Sequence, residues 1–141
     1  MILLDTDHLT VLKYSDSDRF AQLHGRLLAA APIPIGTTIV NVEEQMRGWL
    51  SAIAKERELI RQVNSYRELK DLFGFFAQME IASLTADAVD LFNGYRKLGV
   101  KIGTMDLKTA CIAIVNQAIL LTANRRDFEK VPELKFQNWL D

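Results

Sequence analysis

Four carboxylates stand where an α/β chain gathers its chemistry. Asp5 follows an apolar run, Glu44 lies just beyond a β-branched run, Asp106 opens an apolar helix, and Asp127 follows the strand after that helix. If those strands are neighbours, the four acids meet at one sheet edge. Acids gathered without bases in a partly dry cleft repel, and each resists ionising unless a cation neutralises the group. A divalent metal is the natural answer. Hard carboxylate oxygens, with a single cysteine and no histidine pair at ligand spacing, favour Mg2+ or Mn2+ over zinc. Each acid also has a plainer reading. Asp106 in a first helical turn is favoured by the helix dipole. Glu44 has the spacing of a capping box with Asn41, and Glu43 competes for its place. Asp7 reads as the cap of the first helix, ahead of a supporting place beside the site.

The elements that must position these acids alternate in type. Ile2-Leu3-Leu4 is a short apolar strand ending at Asp5-Thr6-Asp7-His8, which caps a helix from Leu9 to Tyr14. A second helix runs to about Ala31 with Phe20, Leu23, Leu27 and Leu28 on one face, and Pro32 and Pro34 end it. Ile33 to Val40 reads as a strand, and Asn41 to Glu44 opens a helix through Trp49. From Ala52 to about Ala77 comes a long charged helical region with Ile53, Ile60, Val63, Tyr66, Leu69 and Phe73 at helical spacing, ended or bent by Gly74. A strand near Glu80 to Leu84 and a helix from Thr85 to Leu98 follow. Then come the apolar helix from about Thr104, a buried strand Ile119 to Thr122, a polar loop Ala123 to Phe128, and a closing strand around Leu134 to Phe136. This alternation predicts a parallel sheet of about five strands sandwiched by helices, in an α/β domain.

Composition bounds the function. With 141 residues and 49% hydrophobic content the chain has room for one sizeable core. Seventeen basic residues against eighteen acidic ones give a net charge of -1, so any basic surface for nucleic acid must be local. The lone Cys111, on the apolar helix, excludes an intrachain disulfide and reads as core packing. No apolar span approaches the roughly 18 residues of a membrane helix, and a cytoplasmic protein without membrane contact is expected.

The motifs resemble those of the VapC toxins, small PIN-domain ribonucleases of type II toxin–antitoxin pairs. The matching pieces are LLDTD at the start, E-x-x-x-G from Glu44 to Gly48, a D-x-x-x-A-x-x-A-like element from Asp106 to Ala113, and T-x-N-x-x-D-F from Thr122 to Phe128. EKVPEL and a closing Asn138-Trp139 complete the match. The resemblance spans the chain and implies a PIN domain over residues 1–141. It also implies an acidic site of Asp5, Glu44, Asp106 and Asp127, with Asp5, Asp106 and Glu44 as metal ligands and Thr6 and Asn124 as polar neighbours. The four-residue step to Gly48 favours Glu44 over Glu43.

The implied activity is Mg2+-dependent hydrolysis of RNA phosphodiester bonds, with Arg125 and Arg126 available to hold substrate phosphates. Implied partners are an RNA substrate, a VapB-like antitoxin that sends a basic or aromatic residue into the acidic site, and a second copy in a homodimer. The amphipathic region Ala52 to Phe76 is the expected antitoxin surface, against the alternative that it packs on its own domain. Two other functions compete. Asp5-Thr6-Asp7 also fits a haloacid-dehalogenase-like phosphatase, with Asp5 as nucleophile and Asp7 as acid/base. A non-catalytic PIN-fold binding module is the third reading.

Overall fold

The computed structural model describes all 141 residues. Five strands, β1 (Ile2–Leu4), β2 (Ile35–Thr38), β3 (Glu80–Ala82), β4 (Ile119–Leu121) and β5 (Phe136–Gln137), pair in parallel in the order β3-β2-β1-β4-β5. Seven helices connect them: α1 (Thr6–Lys13), α2 (Asp18–Ala29), α3 (Ile39–Lys55), α4 (Leu59–Phe76), α5 (Ala86–Lys97), α6 (Thr104–Val115) and α7 (Arg125–Phe128). A central parallel strand is covered on both faces, which is why β1 is wholly apolar. Its side chains alternate: Leu3 joins Leu107, Ile112, Leu120 and Phe128 on one face, and Ile2 and Leu4 join Leu9, Leu23, Leu72 and Leu121 on the other. Cys111 is buried in the first of these clusters, as packing requires.

The chain order explains where a cleft opens. From β1 the chain moves outward through β2 to β3, then returns to lay β4 along the opposite side of β1. Connections therefore diverge between β1 and β4, and the crevice beyond the C-terminal ends of those strands is the position for a ligand in such a sheet. The β2–β3 pairing is close at one point. A Cβ on Gly36 would lie 2.1 Å from the Glu80 carbonyl oxygen, so the smallest residue is required there.

Several boundaries differ from the sequence expectation, each for a local reason. The first helix begins at Thr6, because extended Asp5 is its N-cap and Asp7 lies inside the first turn. Strand β2 stops at Thr38, whose side chain accepts from the Asn41 N–H at 3.1 Å and starts α3 earlier than expected. Thr38 and Asn41 therefore form the cap, and Glu44 is released from that role. The long charged region is two helices: α3 runs to Lys55, and α4 continues through Gly74, held by buried Leu72 and Phe76. The stretch after β4 is partly helical, since Asn124 caps the single turn of α7. The closing strand lies slightly later, at Phe136–Gln137. Leu28, placed on the buried face of α2, is 63% exposed.

Candidate active site

Asp5 sits at the C-terminal end of β1, in the crevice between β1 and β4. Its backbone carbonyl starts α1 by accepting from the Leu9 N–H at 2.9 Å, while its side chain makes no capping bond and turns to the cleft. Asn41 Nδ2 donates to Asp5 Oδ1 at 2.9 Å, and Thr122 Oγ1 donates to Oδ2 at 2.8 Å. Asn41 is itself fixed by Thr38, whose hydroxyl donates to Asn41 Oδ1 at 2.7 Å. The carboxylate is thus oriented by donors from β2–α3 and β4, each oxygen keeping a further lone pair. Burial raises the Asp5 pKa, with nearby Asp7 adding to it, against the lowering effect of the Thr6 N–H, Thr122 and Asn41.

Glu44 lies one turn along α3 from Asn41 and is held by Thr6, whose hydroxyl donates to Glu44 Oε2 at 2.9 Å. Burial raises its pKa too, with Asp5 and Glu43 adding repulsion. Asp106 is in the first turn of α6, where Gly103 is the N-cap and no side chain caps the helix. Its pKa is pushed up to about 6, first by burial and then by the charges of Asp5, Glu44, Asp127 and Asp7. Asp5, Glu44, Asp127 and Asp7 are thus near enough to Asp106 for their charges to act on it. Asp127 accepts from Asn124 Nδ2 at 3.0 Å and has Lys130 Nζ 3.7 Å away, so it alone among the four has a close cation of its own.

Asp7 is not a helix cap. Its Oδ1 accepts from the His8 N–H at 2.7 Å and from His8 Nδ1 at 2.6 Å, and its Oδ2 accepts from the Ala123 N–H at 2.8 Å. Burial pushes its pKa up, but these donors outweigh burial and the net shift is downward. Fully buried His8 accepts from the Trp139 N–H through Nε2 at 3.0 Å, which leaves its ring proton on Nδ1 for Asp7. The C-terminal segment is thereby tied to the loop after β4. Arg125 and Arg126 are both exposed; Arg125 pairs only loosely with Glu129, at 3.8 Å.

Sequence reasoning missed two residues that hold Asp5, namely Asn41 and Thr122. A signal existed for both. Asn41 lies three residues before Glu44 and so shares its helix face, and Thr122 opens the T-x-N-x-x-D-F motif.

The donor set fits a hard divalent cation, because its ionisable groups are carboxylates and burial, then the neighbouring acids, push Asp106 up to about 6. No three His, Cys, Asp or Glu side chains are already gathered as a cage for an ion. An ion bound here would touch few carboxylates directly and keep several waters, the usual state of Mg2+.

A five-stranded parallel sheet flanked by helices, with an acidic crevice at its switch point, defines a PIN-type α/β fold, and the architecture matches that of VapC PIN-domain structures. A chain of the VapBC2 structure from Rickettsia felis superposes with a TM-score of 0.73 and 24% identity over 99% of both chains. VapBC-1 from nontypeable Haemophilus influenzae gives 0.74 and 21% over 100% of both, and DNA-bound VapBC from Salmonella typhimurium gives 0.75 and 19% over 98% and 97%. In sequence, the chain is similar to Ribonuclease VapC1 of Haemophilus influenzae, 38% identical over 47 residues. That segment is 33% of this chain and spans about a third of the relative, 35% of its length. No family model matches the chain. The likeness thus covers the whole chain in fold and one 47-residue segment in sequence.

Proposed function

We propose that the chain is a metal-dependent endoribonuclease, the toxin of a VapBC-type pair, its PIN domain spanning residues 1–141 and acting in the cytoplasm. The observation that carries this reading is the crevice beyond β1 and β4, where Asn41 and Thr122 orient Asp5 and Thr6 holds Glu44; burial and the neighbouring acids push Asp106 there up to about 6. A cleft that penalises its own charges gains most from a cation, and a fold shared with VapBC proteins makes RNA the substrate of choice.

Asp5, Asp106 and Glu44 would hold Mg2+ or Mn2+, with Asp127 at the rim. When bound, the ion supplies charge neutralisation at the phosphoryl oxygens and a nucleophilic water at neutral pH. Asn41 and Thr122 fix the Asp5 carboxylate, and Thr6 fixes Glu44, so that the ligands need no reorganisation as substrate arrives. Asn124 holds Asp127, and Arg125 and Arg126 stand exposed nearby to receive flanking phosphates. The phosphatase alternative is disfavoured by Asp7. Its pKa is lowered, and its oxygens are committed to His8 and Ala123, which is the wrong state for a general acid.

An antitoxin is the partner we assign to the α4 face. Leu59, Ile60, Val63, Tyr66 and Phe73 are 80%, 77%, 48%, 54% and 64% exposed, so this face does not pack on its own domain. Beside it a groove of about 900 Å3 runs between α2 and α4, lined by Phe20, His24, Leu28, Phe75 and Met79. An amphipathic segment can lie in that groove. A homodimer is part of the same reading.

The deciding experiment incubates the purified protein with a mixed RNA pool. Cleavage with Mg2+ that is lost in EDTA and in Asp5→Asn is the expected result. A stoichiometric beryllium fluoride adduct at Asp5 without RNA cleavage would make it a phosphatase, and neither activity would leave a binding module.

A further inference from the structure

A second cavity, of about 480 Å3, opens beside the acidic cleft. This is within the size range of small-ligand sites. Its walls include Thr122, Arg125, Phe136, Gln137, Asn138 and Asp141. Thr122 belongs to both sites: its hydroxyl donates to Asp5 Oδ2 at 2.8 Å, and its N–H donates to the Gln137 carbonyl at 2.9 Å. A group seated in this cavity is therefore one residue from the reacting carboxylates, across a wall fixed by β4–β5 pairing.

Hydrogen-bond accounting indicates what the cavity would hold. Gln137 Oε1 accepts from the Trp139 indole at 2.8 Å, which sets the amide orientation and leaves both Nε2 hydrogens without an acceptor. Asn138 is occupied locally, accepting from the Leu140 N–H at 2.9 Å and donating to Asp141 Oδ2 at 3.0 Å. That bond steadies the Asp141 carboxylate at the cavity, with Oδ1 unpartnered. The site thus presents an amide donor and a carboxylate acceptor, with the Arg125 guanidinium, 84% exposed, at its mouth. Among the bases, only guanine offers a carboxylate two adjacent donors, N1–H and the N2 amino group, next to an O6 that accepts from an amide. Unstacked bases of single-stranded RNA are read in this way, by their Watson–Crick edges.

Resting on the nuclease reading, we propose that this cavity receives the guanine base of a nucleotide flanking the scissile phosphodiester. Gln137 and Asp141 then set the base preference, and Arg125 holds the adjoining phosphate.

The test compares short single-stranded RNAs that differ only in the base beside the cut. Wild type is compared with Gln137→Glu, which keeps the acceptor for Trp139 but loses the donor, and with the isosteric Asp141→Asn. Wild type should show kcat/KM on the order of tenfold higher for the guanine RNA than for the adenine, cytosine and uracil RNAs. That ratio should collapse toward one in each variant. In EDTA, the Gln137 side-chain amide resonances should shift on adding the guanine RNA and stay in place with the guanine-free RNAs. Equal cleavage of all four RNAs by wild type, an unchanged ratio in both variants, or amide resonances indifferent to guanine would overturn the base pocket while leaving the nuclease reading intact. Failure of the wild type to cut any RNA would remove both.

Discussion

Replacing Asp106 by asparagine separates a catalytic acid from a structural one through stability alone. A structural helix-start carboxylate stabilises the fold, and its loss costs about 0.5–2 kcal/mol with or without metal. Asp106 makes no capping bond in the structure, where Gly103 is the N-cap. It instead sits among Asp5, Glu44, Asp127 and Asp7, with a pKa raised from 3.8 to about 6. At 1.36 kcal/mol per pH unit that displacement sets a ceiling of about 3 kcal/mol, which solvent screening of a half-buried group reduces to about 1 kcal/mol. The sign follows from proton linkage. Between the unfolded and folded pKa values the folded protein binds the extra proton at Asp106, so this group's contribution to stability is greatest below about pH 4 and is lost as pH rises through about 6. In EDTA at pH 7 the asparagine variant should therefore match or exceed wild type by about 1 kcal/mol, roughly 3–4 °C in Tm. Its stability should also fall less between pH 4 and 7. Mg2+ at about 100 times its Kd should add about 2.7 kcal/mol to wild type and much less to the variant. Thermal melts of both proteins with EDTA and with Mg2+ give the comparison. Equal Mg2+ shifts, or a variant clearly less stable in EDTA, would refute the reasoning and return Asp106 to a purely structural role.

Asn41→Ala removes the donor to Asp5 Oδ1 and empties a fully buried position, so it should cost about 1–3 kcal/mol by urea unfolding and reduce RNA cleavage at saturating Mg2+. Thr38→Val loses both the α3 cap and the hydroxyl that orients Asn41; a drop of about 1–2 kcal/mol in stability should be accompanied by weaker Mg2+ binding in calorimetry. Gly36→Ala would drive its methyl into the Glu80 carbonyl, 2.1 Å away, and should destabilise the β2–β3 pairing by about 3 kcal/mol or more, read from hydrogen exchange along β3. Ile60→Glu with Phe73→Glu alters only exposed positions, so Tm should move by less than about 2 °C, whereas co-purification of a co-expressed antitoxin should be lost. Retained co-purification would place the antitoxin elsewhere.

Alternation of apolar runs with helical periodicity is a local property, and it was enough for the sequence alone to determine the class of fold. β1, β4 and α6 are legible because a strand or helix buried on all sides must be apolar throughout. The same logic led to the expectation that Asp5, Glu44, Asp106 and Asp127 share one edge, since parallel strands deliver their C-terminal ends together and the helix leading into β4 begins there. Other features depended on contacts between residues far apart in the chain. Thr38, rather than Asn41, starts α3 because the β2 strand pairing and the cap compete for the same few residues. Asn41 and Thr122 became supports of Asp5 only when β1 was laid between β2 and β4, across separations of 36 and 117 residues. Asp7 changed from an expected cap to the partner of His8 and Ala123 for the same reason. The apolar positions of α4 have helical spacing whichever way they face. Only packing through Leu72 and Phe76 decided that Ile60, Tyr66 and Phe73 would be left outward. A sequence states which side chains prefer burial, and the tertiary structure decides which of them the core has room to take.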